Sequence, residues 1–217
     1  GVKRWPSGQD NVQQTHGLLS GAEWTGVLLS VLLREAGVKR EAKWIIAEGA
    51  DAARMNRSVP LEKAWDDVMV AYGQNGEAIR PEQGYPMRLV LPGWEGNIHI
   101  KWLHVIKVTD KPYQTREETS KYTDLKGDGT ALQFTFVMEA KSVITYPSAQ
   151  VPIRGPGCVE VRGLAWSGHG RIVRVEVSSD GGKTWSLAEL QDPVLPKALT
   201  LFRFPYRWDG REAFLQS

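Results

Sequence analysis

Apolar and polar positions along the chain follow two different rhythms. The run TGVLLSVLLREA, Thr25 to Ala36, spaces its apolar residues as one helix face, with Thr25 available as N-cap and Gly37 placed to terminate it. KWIIA, Lys43 to Ala47, reads as a short buried strand running into the polar turn Glu48 to Asp51. Pro60 ahead of LEKAW predicts a second short helix with Pro in its first turn. Val68 to Tyr72 is another strand, and Asn75-Gly76 is a tight-hairpin signal. MRLVL reads as a buried strand stopped by Pro92-Gly93, and Gly96 to Lys101 predicts a further short strand with Asn97, His99 and Lys101 on one outward face.

The second half changes to strand-length segments between turns. Leu132 to Met138 and Ser142 to Tyr146 lead to Pro147, and Cys158 to Ala165 alternates as CVEVRGLA. IVRVEVS, Ile172 to Ser178, alternates strictly, and Asp180-Gly181-Gly182 signals a hairpin before a strand carrying Trp185. Short strands at regular intervals with Gly-rich turns predict an antiparallel sandwich. The polar stretch Lys126 to Gly129 is the expected boundary, giving units 1–128 and 129–217. Arg211 to Ser217 completes no obvious element, so the sandwich is expected to lack its final strands and to carry an open edge.

Bulk properties narrow the function classes. The 217 residues suffice for one large or two modest cores. A net charge of +2, with no basic block, gives no reason to expect a nucleic-acid surface. No apolar run approaches the roughly 20 residues that a membrane helix needs, and the N-terminus has no signal-peptide pattern, so a mature form or a fragment is expected. A single cysteine, Cys158, excludes an internal disulfide and a Cys-rich metal site. Its strand setting, GPGCVEVRG, predicts buried packing rather than a reactive thiol.

Candidate chemistry concentrates in GYPMRLVLPGWEGNIHIKWL, Gly84 to Leu103. Arg88 together with Asn97, His99 and Lys101 can hold a multiply charged anion; a solvated strand edge with chance charges is the bland alternative. His16 either lines a site or makes a local hydrogen bond, and His104 and His169 read as structural or exposed. No two histidines have helical metal-ligand spacing, which disfavours a zinc hydrolase.

Ordered along the chain, SGAEWTGVLLSVLL, EGAD, RSVPLEKA, YPMRLVLPGWEGNIHIKWL and VRGLAWSGHGRIVRVEVSSDGGKTW resemble the sulfite oxidase family of molybdopterin enzymes. VQQTHGLLSGAEWTGV, the GWEGN turn and EAKSVITYPS are most similar to its sulfane dehydrogenase branch from the thiosulfate-oxidising (Sox) system. The resemblance implies an α+β molybdopterin-binding domain (residues 1–128 being its C-terminal part) followed by an all-β immunoglobulin-like sandwich (129–217) that forms a homodimer. It implies a molybdopterin (Mo) cofactor and oxygen-atom transfer to a reduced sulfur substrate, either sulfite or sulfane sulfur on a carrier protein. Electrons would pass to a c-type cytochrome subunit in the periplasm.

Residue by residue, the resemblance puts Asp51 against the pterin, with a turn-capping Asp as the alternative. It makes Arg88 a cofactor ligand, whose guanidinium fork suits a phosphate. His99, Ile100 and Lys101 match a cofactor-binding His-Val-Lys triplet. Tyr122 matches the active-site tyrosine that hydrogen-bonds substrate or metal-bound oxygen and helps move a proton. Three departures stand out. Gln83 replaces a cofactor-binding histidine, Lys121 precedes Tyr122 where an aspartate is common, and no cysteine occupies a metal-ligating position. The second reading is therefore a non-catalytic dimerisation or interaction fragment.

Overall fold

The computed structural model describes residues 11–217. These form two compact units: Ala22–Val137, and Met138–Ser217 together with the described residues ahead of Ala22. The expected boundary stretch, Lys126 to Gly129, instead makes a turn inside the first unit, where Lys126 N donates to Thr130 O at 2.8 Å. Helix α1 (Val12–His16) belongs to the second unit.

In the first unit, β1 (Trp24–Leu28) runs into α2 (Leu29–Ala36), so only the latter part of the expected Thr25–Ala36 helix is helical. Tertiary pairing overrides the helical period here: Thr25 and Gly26 lie in register with Gly73 and Ala71 of β4 (Met69–Gln74). The helix end behaves as its sequence predicts, with Gly37 left-handed at φ 68 and its N–H donating to Arg34 O. Next come β2 (Trp44–Gly49), β3 (Asn56–Pro60) and α3 (Leu61–Asp66), with Pro60 as N-cap. The Asn75-Gly76 turn joins β4 to β5 (Glu77–Ala78), both turn residues having positive φ. A 3₁₀ turn (Pro81–Gln83), β6 (Arg88–Val90) and a second 3₁₀ turn (Gly96–Ile98) precede β7 (Leu103–Thr109). Helix α4 (Arg116–Lys121) and the hairpin β8 (Thr123–Leu125), β9 (Ala131–Gln133) close the unit.

Besides the β8–β9 pair, two larger antiparallel sheets result, one in which β4 pairs with β1, β5 and β6 and one in the order β3-β2-β7. Leu29 and Leu33 of α2 join Ile45, Val59, Leu89 and Leu91 in the core. Each such side chain contributes roughly 1.5–3 kcal/mol when fully buried. Ile98 and Ile100 belong to the same core. The expected Gly96–Lys101 strand is a 3₁₀ turn followed by extended chain, and His99 turns its Nε2 inward rather than sharing an outward face with Asn97 and Lys101. Likewise only Leu132 and Gln133 of the expected Leu132–Met138 strand are laddered, in β9, with Val137 bridging Trp94.

The second unit is an all-β sandwich of a sheet ordered β10 (Lys141–Tyr146), β11 (Gly157–Trp166), β15 (Thr200–Trp208), β14 (Glu189–Leu190), and a small pair, β12 (Glu176–Val177) with β13 (Ser186–Leu187). Phe202 packs with Ala165, Ile172, Val175 and Val177 between them. Of IVRVEVS only Glu176–Val177 is laddered, and its alternation survives only in the burial of Val175 and Val177, since Ile172 is buried and Val173 is 86% exposed. The Asp180 carboxylate accepts from Thr184 Oγ1 (2.7 Å), Thr184 N and Lys183 N, hydrogen bonds that hold its pKa far below the usual carboxylate range. Near the C-terminus, where an open edge was expected, Gln216 bridges Ser178 and Phe214 bridges Asp180. Cys158 is exposed, not buried, because the inward positions of β11 fall on Val159 and Val161. No helix among the described residues is long and apolar enough to cross a membrane.

Candidate functional site

The site is built on the backbone of the Pro81–Gln83 turn. A 3₁₀ turn leaves carbonyls without internal partners, and here two of them orient cations. Gln83 O accepts from Arg88 Nη1 at 2.9 Å, and Glu82 O accepts from Lys101 Nζ at 2.8 Å. An indole lies against each cation: Trp24 is 4.8 Å from the Arg88 guanidinium and Trp102 is 4.6 Å from Lys101 Nζ, measured to the ring centroid. Gln83 thus serves this site through its main chain, a role its side-chain chemistry did not signal.

Arg88 is buried, and burial pushes its pKa down. Its Nε has no hydrogen-bond partner, and neither does the buried Nε2 of His99. Burial, with the Arg88 charge next in weight, lowers the His99 pKa to about 4, while backbone hydrogen bonds to Trp94 and Leu91 pull the other way. The imidazole is therefore neutral at pH 7. Ile100, between these cationic and imidazole residues, puts its side chain in the core and its carbonyl on Leu89 N (2.8 Å), so it anchors the segment to β6.

Two glycines fix Lys101. A Cβ on Gly49 would meet Lys101 O at 2.6 Å, and one on Gly84 would meet Lys101 Cβ at 2.8 Å. Asp51 stands beside this contact, and its Oδ1 accepts from Met55 N at 2.9 Å, the turn-capping geometry. Ala50, Asp51, Tyr85 and Trp102 line a cavity of about 500 Å³.

Tyr122 is not in an open loop. It follows α4 as its C-cap, with its N–H on Glu118 O at 3.2 Å. The helix is tied to β3 through the buried Glu118 carboxylate, which accepts from Thr115 N (2.8 Å), Ser58 Oγ (3.1 Å) and Ser58 N. Glu118→Gln replaces an acceptor oxygen by a donor facing these groups. It is expected to cost about 2 kcal/mol, seen as a lower urea midpoint at unchanged slope.

Arg57, inside the RSVPLEKA motif, has no role that the sequence alone assigns. The structure buries it to 4% exposure with its guanidinium 5.2 Å from the centroid of the Tyr122 ring. Nη1 donates to Asn56 O (2.7 Å), and Nε points to Asn97 Oδ1 at 3.4 Å. The amide of Asn97 in turn donates to Glu95 Oε2 (2.8 Å). A rarely buried residue type inside a strand pattern was the signal available.

The comparisons with known proteins agree across both units. Residues 2–117 match the oxidoreductase molybdopterin binding domain, and residues 133–201 match the Mo-co oxidoreductase dimerisation domain. The chain belongs to the molybdopterin-binding oxidoreductase family. Mitochondrial sulfite oxidase of Drosophila melanogaster is 36% identical over 202 residues, covering 83% of this chain and 35% of that protein. An NADPH nitrate reductase of Fusarium oxysporum is 36% identical over 217 residues, covering 85% of this chain and 24% of that protein. The crystal structure of the sulfane dehydrogenase SoxCD from Paracoccus pantotrophus is similar with a TM-score of 0.91 and 57% identity, covering 94% of this chain and 53% of that one. The chain therefore spans about a third of the fly sulfite oxidase and about half of the solved structure.

The residues present fit the family's cofactor. Buried polar atoms without partners are uncommon in folded proteins, and Arg88 Nε and His99 Nε2 are both of this kind. A guanidinium and an ammonium held at fixed backbone carbonyls suit a phosphate-bearing ligand.

Proposed function

We propose that the chain is the part of a molybdenum-dependent oxidoreductase that grips the pterin cofactor and shapes the site where a reduced sulfur compound is oxidised. Arg88 and Lys101 would hold the cofactor's phosphate. Neutral His99 would hydrogen-bond a polar group through Nε2, and Asp51 would accept from pterin N–H groups with the Oδ2 that its turn leaves over. The observation carrying this reading is the pair of partnerless buried nitrogens on Arg88 and His99 inside a molybdopterin-binding domain. The chemistry supplied by the bound group is two-electron oxygen-atom transfer between water and sulfur. Tyr122, braced by α4 and Arg57, would hydrogen-bond the substrate oxygen and hold or release a proton at its hydroxyl. The positive potential around the site favours an anionic substrate.

Among reduced sulfur compounds, sulfane sulfur on a carrier protein is preferred to sulfite, since the 57% identical structure is a sulfane dehydrogenase. We assign the electrons to a c-type cytochrome subunit, the compartment to the periplasm, and dimerisation to the second unit, whose match is to a dimerisation domain. Full-length protein supplied with free sulfite or with carrier-linked sulfane sulfur tests the substrate, with cytochrome c reduction as the readout. Faster turnover of the carrier-linked form is expected, and rapid turnover of sulfite alone overturns it. A full-length protein that holds no molybdenum supports the non-catalytic reading instead.

A further inference from the structure

Two motifs quoted in the sequence, RSVP and GWEGN, have no part in the cofactor grip, yet they meet in space. Arg57 comes from the first and Asn97 from the second, and Arg57 lies against Tyr122. A guanidinium buried to 4% exposure ordinarily has a carboxylate beside it. Among the described residues none lies within ion-pair distance of Arg57, and the nearest acid in the network, Glu95, reaches it only through the Asn97 amide. Asn56 O, Met55 Sδ and Asn97 Oδ1 occupy Nη1 and Nε, which leaves Nη2 with no hydrogen-bond partner among the described residues.

We propose that Arg57, steadied by Asn97 and seated against Tyr122, is the recognition subsite for the oxyanion end of the sulfur substrate, a sulfonate-like group. This rests on the sulfur-oxidation reading above for the identity of the substrate, not for the anion chemistry. The buried charge lacks an internal counter-ion, so an incoming oxyanion supplies the missing partner. Nε and Nη1 already donate to these three acceptors, so the guanidinium is held in place and Nη2 is the donor that remains for an oxyanion, with little reordering needed to bind it. Asn97 fixes the guanidinium without neutralising it, as a carboxylate at that place would. The phenol of Tyr122 and the bound oxyanion are thereby brought to the same cation, so Arg57 sets both the substrate's position and the class of substrate accepted.

The test uses the 217-residue chain with sulfate and thiosulfate as probes at constant ionic strength. The buried Arg57 Nε–H is followed by nitrogen–proton correlation spectroscopy and assigned by its absence in Arg57→Lys. A saturable shift of this resonance is expected with either probe, unaffected by Arg116→Gln, whose side chain is 85% exposed. The shift distinguishes binding here from binding at Arg88 and Lys101. In the full-length holoenzyme Arg57→Gln is expected to raise KM for the anionic substrate at least tenfold with a smaller change in kcat; Arg57→Lys, which keeps charge without the fork, recovers part of it. A resonance that does not respond while the chain stays folded overturns the subsite. So does an Arg57→Lys holoenzyme with unchanged KM, which decides the matter if Arg57→Gln does not fold. Sulfate binding at Arg57 in a protein whose holo form oxidises no sulfur compound leaves the subsite standing and refutes the sulfur-oxidation reading alone.

Discussion

Gly84→Ala is expected to lower the stability of the first unit by about 3 kcal/mol and to strip the protein of its cofactor. Gly84 sits at φ 109, a backbone conformation that residues with a Cβ rarely adopt. A left-handed conformation alone costs an alanine roughly 1–2 kcal/mol. The added carbon would also lie 2.8 Å from Lys101 Cβ and 2.9 Å from Lys101 Cα, and backbone cannot swing aside as a side-chain tip can. Overpacking of this kind adds roughly 1–3 kcal/mol. Relief of the overlap moves Lys101 away from Glu82 O and loosens the hydrogen bond from Trp102 N to Gly84 O. Urea unfolding of the chain and pterin content of the full-length protein should fall together. Gly76→Ala, a positive-φ turn with nothing within 4 Å of the new Cβ, carries only the backbone share and should leave pterin content intact.

His99 is expected to make the cofactor-free chain lose about 3 kcal/mol of stability as the pH falls from 6.5 towards 4. Its pKa moves from 6.5 in the unfolded chain to about 4 in the folded one, chiefly through burial and then through the Arg88 charge. Across that window the unfolded state binds the proton and the folded state does not, so unfolding is favoured as acid is added. At 1.36 kcal/mol per pH unit the shift corresponds to about 3 kcal/mol. The contribution is constant above pH 6.5 and again below about pH 4. Because carboxylates and His16 titrate too, the measurement is a double difference: urea stability of wild type and His99→Gln at pH 7 and pH 4.5. The wild type should lose about 2 kcal/mol more than the variant between these two pH values, most of the full shift, and equal losses would exclude a neutral, buried imidazole.

What the sequence made legible is what local rules govern. Gly37 ends α2, Asn75-Gly76 turns the β4–β5 hairpin, and Pro60 starts α3, each through backbone preferences of one or two residues. Trp24–Leu28 was misread because its helical period lost to pairing with β4, an interaction some forty-five residues distant in the chain. The Gly96–Lys101 segment was misread because a 3₁₀ turn over Gly96–Ile98 breaks the strand alternation, so that His99 is buried beside Arg88 as well as Ile98 and Ile100 in the core. Alternation placed Cys158 on β11 correctly but could not say which face was wet. The candidate residues Arg88, His99 and Lys101 were visible as residue types in one stretch. The Glu82 and Gln83 carbonyls that aim two of them were not, since main-chain acceptors leave no mark in a side-chain sequence. Arg57 and Asn97, forty residues apart, meet only through the fold.

The most direct measurement of the central claim is the pterin and molybdenum content of the purified full-length protein, wild type against Arg88→Gln, each confirmed folded by its urea transition. The Gln83 carbonyl and the Trp24 face hold Arg88, and in the proposed function its unpartnered Nε would meet the cofactor. Losing a charge-assisted hydrogen bond of roughly 1.5–3 kcal/mol should then lower cofactor affinity about tenfold or more. Near-stoichiometric pterin in the wild type, with marked loss from Arg88→Gln after dialysis, is the predicted result. A folded Arg88→Gln protein that keeps its full pterin complement would contradict the account.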